Sequence, residues 1–597
     1  MQGLGILAAM SLSLMLLLVD DADGAVGVEW DEVRRSVTPH QVTPRTHPVE
    51  DGRATAIIAV PEDPRYQTAA EALQRSIQQQ TGVQVPLVSA AELVTGPAFA
   101  FKPNASHLIL LGDLTSNPAI ARLYMDYVAF EDAAYPGQGG HTVRSVVDPL
   151  GLGWNAVILG GQGPDEVAAA VDEYVGLIDA RDGEAYSEYC LRVTLGEHPF
   201  LAEMQRRTDA AREWLGGWDT DLLPPGSEEY KAKNPGKTPV QYVFVLLDRH
   251  LVYDGLHYGI TGEREFAEAA GRAIDALYEN LEWVEAHRKA PYDAHYMVEI
   301  WLRAWQQVAN CPYLTSGQRD RGHAVMGFLA GQMAAYRPDH QAYGVTSYRI
   351  LSRHQYSGIF GGDALCGWAQ RHCELGPELS DSIALTRERF GIVIDAMTQT
   401  YTTGFDHKWG FDGNWHLLQA AVEGPRTEHI TTGLARLNAD FATMCINNAG
   451  EFVNFGAENI AATEAYDAYQ ILGRTETLLR DGRYQWWLDE RMKRHPYKIF
   501  IMSINWLGHW YHTSVPAREP THLIGINRIL APAPLHEDLI KGRGRTHGGN
   551  PVVNDVPLGE TFNKISFRDG LGEDDQYLLL DGLGGTTYSG NDANGIS

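Results

Sequence analysis

The sequence is poor in cysteine, short of positive charge and almost free of long apolar runs. Five cysteines among 597 residues (Cys190, Cys311, Cys366, Cys373 and Cys445) are too sparse, and odd in number, for a disulfide framework. Cys366 and Cys373 can bridge only if the chain between them turns; buried free thiols are the alternative. No CxxC pair and no HExxH occurs, which removes the spacing signatures of zinc sites and zinc proteolysis. Lys+Arg number 48 against 76 Asp+Glu, a formal charge of -28, and this excludes nucleic acid as a partner. An anionic polymer is also repelled at long range, unless specific Arg, His or Asn residues build a local pocket against that field.

The one long apolar run is residues 4–19, LGILAAMSLSLMLLLV, followed by Asp20, Asp21, Ala22, Asp23 and Gly24. It is short for a membrane span, and the small residues at 22 and 24 suit signal-peptidase cleavage, so residues 1–24 read as an export signal. The run departs from that pattern in having no Lys or Arg before it. The expectation is an exported protein, periplasmic or secreted, with no stable membrane association after cleavage.

What is present is enough chain for several cores and three successive textures. After a polar, Pro-bearing lead (25–52), short β-branched runs at 54–60, 107–113 and 155–161 alternate with helical stretches Thr68–Thr81 and Pro164–Ile178. This predicts a small α/β domain over 50–200 with a partly parallel sheet. The turns LGD and GGQG are neither a GxGxxG nor a P-loop, so they read as plain turns.

From 201 to 516 helical periodicities follow one another, at 240–254, 264–281, 294–310, 315–336, 381–400, 426–444 and 476–491, with no convincing strand. Paired helices over such a length leave a solenoid or an α/α toroid, and the absence of a fixed internal repeat favours the toroid. From 521 to 597 Pro, Gly and Asn rise, and HLIGINRIL, KISFRD and YLLLDGLG read as strands of an antiparallel β-sandwich. Because the chain stops in that texture, only the start of the sandwich, truncated at its C-terminus, is expected. The predicted fold class is multidomain α+β.

Three polar clusters stand out in the helical region. Asn414, Trp415 and His416 open a helix after a Gly-Phe-Asp-Gly turn, where free N–H groups and the dipole favour a carboxylate; a plain N-cap is the alternative. Arg353, His354 and Tyr356 precede a Gly-rich break at Gly361–Gly362 and supply a charge clamp, a base and a phenol, or simply a solvated helix end. Asn454, Asn459, Tyr466 and Tyr469 form the third; the tyrosines, three apart, share a helix face that can equally be core. The clusters near 354, 416 and 469 are separated by 62 and 53 residues, about one helical hairpin each, so equivalent ends of neighbouring inner helices can converge on one cleft.

With FDGNWH and the terminal FRDGLGEDDQYLLLDGLGGTTYSGNDANGIS, this order of signal, toroid and sandwich resembles the heparinase II/III and alginate lyase superfamily of polysaccharide lyases. The resemblance implies an anionic, uronate-bearing polysaccharide as substrate, β-elimination as the reaction and no required cofactor or metal. By position, Asn414 and His416 resemble the carboxylate neutraliser and base, and a tyrosine of the 466–469 pair resembles the catalytic phenol. His354 and Arg353 would be auxiliary, and Tyr356, Trp415 and Asn459 substrate-binding. Tyr588 stands where the superfamily's sandwich carries a histidine, with His547 as a substitute. Two other functions remain open: a glycoside hydrolase using two carboxylates among Asp406, Asp412, Glu423, Glu458 and Glu464, and a glycan-binding protein with Trp409, Trp415, Trp486, Trp487, Trp506 and Trp510 as platforms.

Overall fold

The computed structural model describes residues 29–198 (except 105 and 182), 219–236, 242–287 (except 244), 298–333, 355–398, 418–450 (except 425), 453, 466–492, 513–527 and 564–581, with the single positions 202 and 209. The export-signal reading of 1–24 therefore lies outside the described residues. No helix among those described is long and apolar enough to cross a membrane. Mixed α and β structure is present, as the fold class requires.

The chain enters through helix α1 (Trp30–Ser36) and strand β1 (Val37–Pro39). Trp30 is 1% exposed and meets Tyr278 and Phe328 edge-on, so the polar-looking lead is anchored in the helical region. Strands β2 (Thr46–Glu50), β3 (Arg53–Ala54) and β4 (Ala56–Val60) precede helix α2 (Gln67–Thr81), which stops at Gly82 in the left-handed conformation. Strands β5 (Leu87–Ser89) and β6 (His107–Gly112) then lead to α3 (Pro118–Met125), whose Asn117 side chain caps the amides of Ala119 and Ile120. Next come β7 (His141–Val146), β8 (Ala156–Gly160), α4 (Pro164–Leu177), β9 (Asp179–Arg181), β10 (Glu184–Ser187) and β11 (Leu191–Thr194).

One sheet runs β11-β7-β8-β6-β4-β5, parallel from β8 to β5 and antiparallel at β7 and β11; β9-β10-β2-β3 form a second, antiparallel sheet. The main sheet is buried on both faces. Ile58, Val60, Ile109, Leu111, Val157 and Leu159 pack with residues of α2 and α4. Their alternates Ala59, Leu108, Leu110 and Ile158 join a core shared with Leu418, Phe441, Ile471 and Tyr484 of the helical region. Two covered faces explain why these strands read as continuous apolar runs rather than alternating ones.

The helical region comprises a π-helix (Val245–Val252) and helices α5 (Tyr253–Thr261), α6 (Arg264–His287), α7 (Val298–Val308), α8 (Ser316–Met333), α9 (Gln355–His372), α10 (Pro377–Thr398), α11 (Leu434–Met444), α12 (Tyr466–Leu479) and α13 (Gly482–Met492). Strand β12 (Cys373–Leu375) pairs antiparallel with β1, so a strand does occur where only helices were expected; a three-residue strand carries too little periodicity to be read.

Three further expectations are corrected. Gly361 and Gly362 do not break the chain but lie inside α9, where an added Cβ would sit 3.0 Å from Glu299 Cβ and 2.5 Å from Phe390 Cε2 respectively. These glycines are there for close helix packing. The stretch 426–444 is two helices parted at Gly433, and 476–491 is divided near Arg480, whose φ is 51°.

At the C-terminal side, β13 (Ile524–Asn527), β14 (Lys564–Arg568) and β15 (Tyr577–Asp581) form an antiparallel meander. It docks on α11: Arg568 donates to the carbonyls of Thr443 and Ile446 and lies 4.4 Å from the Tyr577 ring centroid. All five cysteines are free and buried, so Cys366 and Cys373 are not bridged.

Candidate functional site

Residues 418–423, which follow the second polar cluster, and α12, which contains the tyrosines of the third, lead into one charged node against the α/β domain. Its centre is Tyr127, fully buried with φ 60°. The Arg303 guanidinium of α7 lies 5.5 Å from the Tyr127 ring centroid, and that of Arg474 in α12 lies 5.2 Å from it. Such cation–π contacts contribute most where both groups are desolvated.

Carboxylates neutralise this charge at close range. Arg303 Nη2 donates to Glu299 Oε1 at 3.3 Å and also to Glu423 Oε1. Gln419 donates to the same Glu423 oxygen at 2.5 Å and to the Met125 carbonyl at 2.9 Å. Arg122 pairs with Asp126 at 2.9 Å and donates to the Val422 carbonyl, which fastens α3 to residues 418–423. Burial pushes the Glu423 carboxyl above its ordinary value, with Arg303 opposing the shift. For Arg303 burial acts downward, but Glu423 and Glu299 outweigh it and raise the pKa.

Arg371 lies in the last turn of α9. Burial pushes its pKa below the ordinary arginine value, Glu423 and Asp126 oppose this, and Arg387 and Arg303 add to it. Solvent nonetheless reaches its side chain. Loop residue Gly151 (φ 69°) sits against this turn, where a Cβ would come within 2.7 Å of the Arg371 carbonyl.

A second polar group lies further along α12. Glu476 is fully buried, and burial raises its carboxyl to about 7, with Thr513 and Arg480 opposing. Arg480 in turn donates to the carbonyls of Leu114 and Thr115, next to buried Asp113 at the end of β6.

On the other side of α9 a cavity of about 60 Å³ separates the α/β domain from α7 and α8. Arg144, Asp148, Asn310, His323 and His372 line it, and Trp368 stacks on both imidazoles at 5.3 and 5.5 Å. Burial, then Arg371, lowers His372 to about 3, so its ring is neutral. Among the described residues no group of His, Cys, Asp and Glu is arranged to hold a metal ion.

Of the residues expected to carry chemistry, Arg353, His354, Asn414, Trp415, His416, Asn459 and His547 lie outside the described residues. Tyr356 is the second residue of α9, inside the helix rather than at a loop edge. Tyr466 opens α12 and Tyr469 follows in its first turn, so the helical spacing between them holds along the backbone. Asp406, Asp412, Glu458 and Glu464 are likewise outside, whereas Glu423 is committed to Arg303 and Gln419. Among the tryptophans, Trp487 is core and Trp486 packs on it edge-on at 5.3 Å; Trp409, Trp415, Trp506 and Trp510 are outside.

Sequence reading missed Arg303, Arg371 and Glu476. The reason for Arg303 is plain: Glu299, Arg303, Gln306 and Gln307 share one polar face of amphipathic α7, which reads from sequence as a solvated stripe, whereas Glu299 and Arg303 are buried. No family model matches the chain, and no curated protein matches it.

Proposed function

We propose that the protein is an exported polysaccharide lyase that cleaves a uronate-bearing polymer by β-elimination, on an α/α toroid followed by β-sandwich strands. The observation that carries this reading is the convergence of residues 418–423 and α12 on Tyr127 and its ion pairs. His416 stands two residues before the first of these segments in sequence, and Tyr466 and Tyr469 lie in the first turn of the second. Leu418 and Ile471, which follow the second and third clusters, share one core, which is what a cleft between those two clusters requires.

Elimination builds carbanion character beside a carboxylate, so the site must offer donors or positive charge to the developing dianion. Asn414 and His416 would neutralise the carboxylate, and a phenol of Tyr466 or Tyr469 would move the proton. An unperturbed phenol, with pKa near 10, needs neighbouring cations such as Arg353 or His416 to act as a base. In the hydrolase alternative Glu423 is not a free carboxylate, because it already neutralises Arg303.

Absorbance of an unsaturated uronate product tests the reading. The purified protein is incubated with alginate, glucuronan, heparan sulfate and ulvan. A rise with one of them supports elimination; new reducing ends without the absorbance would establish hydrolysis instead.

A further inference from the structure

The cavity between the α/β domain and helices α7, α8 and α9 has a polar lining that the proposed elimination does not use. On β7, Val143 packs with α2 and α4 while Val146 joins the core shared with the helical region, so Arg144 faces the helices with Val146. Arg144 is 2% exposed; its Nε donates to Glu131 Oε1 at 2.8 Å and its guanidinium lies 4.9 Å from the Phe130 ring centroid. Its Nη2 is buried with no hydrogen-bond partner among the described residues, and the neighbouring Tyr135 hydroxyl donates to the Ile260 carbonyl at 2.6 Å. A buried donor of this kind calls for an acceptor from outside the chain.

His372 supplies a second unpaired atom. Its Nε2 is buried without a partner among the described residues, and Trp368 orients the ring by stacking on it at an interplanar angle of 28°. Burial keeps the imidazole neutral, so it can present a lone pair. Trp368 stacks at the same angle on His323, whose Nδ1 lies 2.8 Å from the Arg319 carbonyl and therefore carries that ring's proton.

Size and charge narrow the ligand. The cavity is open to solvent and measures about 60 Å³. An engineered apolar cavity of about 150 Å³ takes benzene, so this one admits on the order of two or three non-hydrogen atoms. A sugar ring must stay outside. Arg144 already pairs with Glu131, and Asp148, 5% exposed, lines the same space, so these three groups offer an anion no net positive charge. A hydroxyl fits instead, because one oxygen both accepts from a guanidinium and donates to an imidazole.

We propose that the cavity binds the hydroxymethyl group of a neutral sugar or polyol, its oxygen accepting from Arg144 Nη2 and its proton donated to His372 Nε2. Asn310, also in the lining, serves the next hydroxyl along the ligand. None of these residues takes part in the proposed elimination, so the site stands or falls apart from the lyase reading.

The test is a ligand-observed NMR titration of the full chain with methyl glucoside, methyl xyloside, the methyl glycoside of glucuronic acid, and glycerol. The xyloside lacks the hydroxymethyl group, and the glucuronide carries a carboxylate in its place. The glucoside is expected to bind with its closest contacts at the hydroxymethyl protons. The xyloside and the glucuronide should each bind at least about 10-fold more weakly, the loss of a charge-assisted hydrogen bond. Glycerol separates the sources: affinity equal to the glucoside's supports a small-polyol site, and lower affinity supports a sugar site.

Arg144→Lys keeps the charge beside Glu131 and removes the fork, and should weaken the glucoside by about 10-fold or more. His372→Phe keeps the stack on Trp368 and removes the nitrogen, for a loss of about 2- to 10-fold. Neither should change the xyloside. Should Arg144→Lys fail to fold by its thermal midpoint, His372→Phe carries the comparison. Equal affinity for glucoside and xyloside, glucoside binding unmoved by His372→Phe, or glucuronide binding that is tighter and depends on His372 would each overturn the proposal. Binding of none of the four would leave water as the occupant and overturn it as well.

Discussion

Arg303 and Glu423, 120 residues apart in sequence, share a hydrogen-bonded ion pair that ties α7 to residues 418–423 beneath the α/β domain. Removing one partner leaves the other charge in a dry site. Arg303→Met is expected to destabilise the fold by about 3–5 kcal/mol, because Glu299 and Glu423 then lose their shared cation. Glu423→Gln should cost less, since an amide can still accept from Arg303. Thermal midpoints of the two variants check this order, and retained turnover in Glu423→Gln would also separate the lyase from a hydrolase that depends on this carboxylate.

Glu476 sets a pH dependence. Its folded pKa of about 7 lies above the ordinary value of 4.5, so the native state holds the proton more tightly than the unfolded chain. The stability associated with the protonated form is complete below about 4.5 and is lost as pH rises through 7. The loss is on the order of 3 kcal/mol. Urea midpoints at pH 5 and pH 8 should therefore differ in wild type and converge in Glu476→Gln.

Helix packing at two glycines gives opposite expectations. Alanine at Gly362 would place its Cβ 2.5 Å from Phe390, so Gly362→Ala should lower stability by about 1–3 kcal/mol. At Gly317 the nearest atom stands 3.6 Å away, at the flexible end of Arg321, and Gly317→Ala should be neutral or stabilising by about 0.5–1 kcal/mol. Differential scanning calorimetry of the pair reads both signs.

For the chemistry, Tyr466→Phe/Tyr469→Phe is expected to abolish the ultraviolet product signal, a rate loss of at least about 10²-fold for a proton-transfer group. Full activity in the double variant would remove the tyrosines from the mechanism.

The thiols should behave as a silent set. All five are buried, and burial raises Cys373 to about 12. A chromogenic disulfide reagent should find none in the native protein and five after unfolding, with no mass change on prior reduction.

Much of the architecture was legible in local pattern. The runs at 56–60, 107–112 and 156–160 are strands, the helices at 67–81 and 164–177 stand within a residue of expectation, and KISFR and YLLLD pair in the C-terminal meander. These succeeded because a buried parallel strand and an amphipathic helix each leave a periodicity that neighbouring residues carry by themselves. The failures had a different origin. Gly361 and Gly362 look like a break and are a contact surface, because their role is set by Glu299 and Phe390 on other helices. Trp30 reads as part of a polar lead and is core, because Tyr278 and Phe328 come to meet it.

The candidate site divides the same way. Composition and motif order carried the charge deficit, the run at 4–19 and the polar clusters near 354, 416 and 469, all properties of residues close in sequence. Only the tertiary structure decided that residues 418–423 and α12 share a core, and that Arg303, Glu299 and Glu423 neutralise one another. Charge balance in a buried site is a sum over side chains from α3, α7, residues 418–423 and α12. No window of sequence contains that sum, because it exists only once burial has removed the water that would otherwise screen each charge separately.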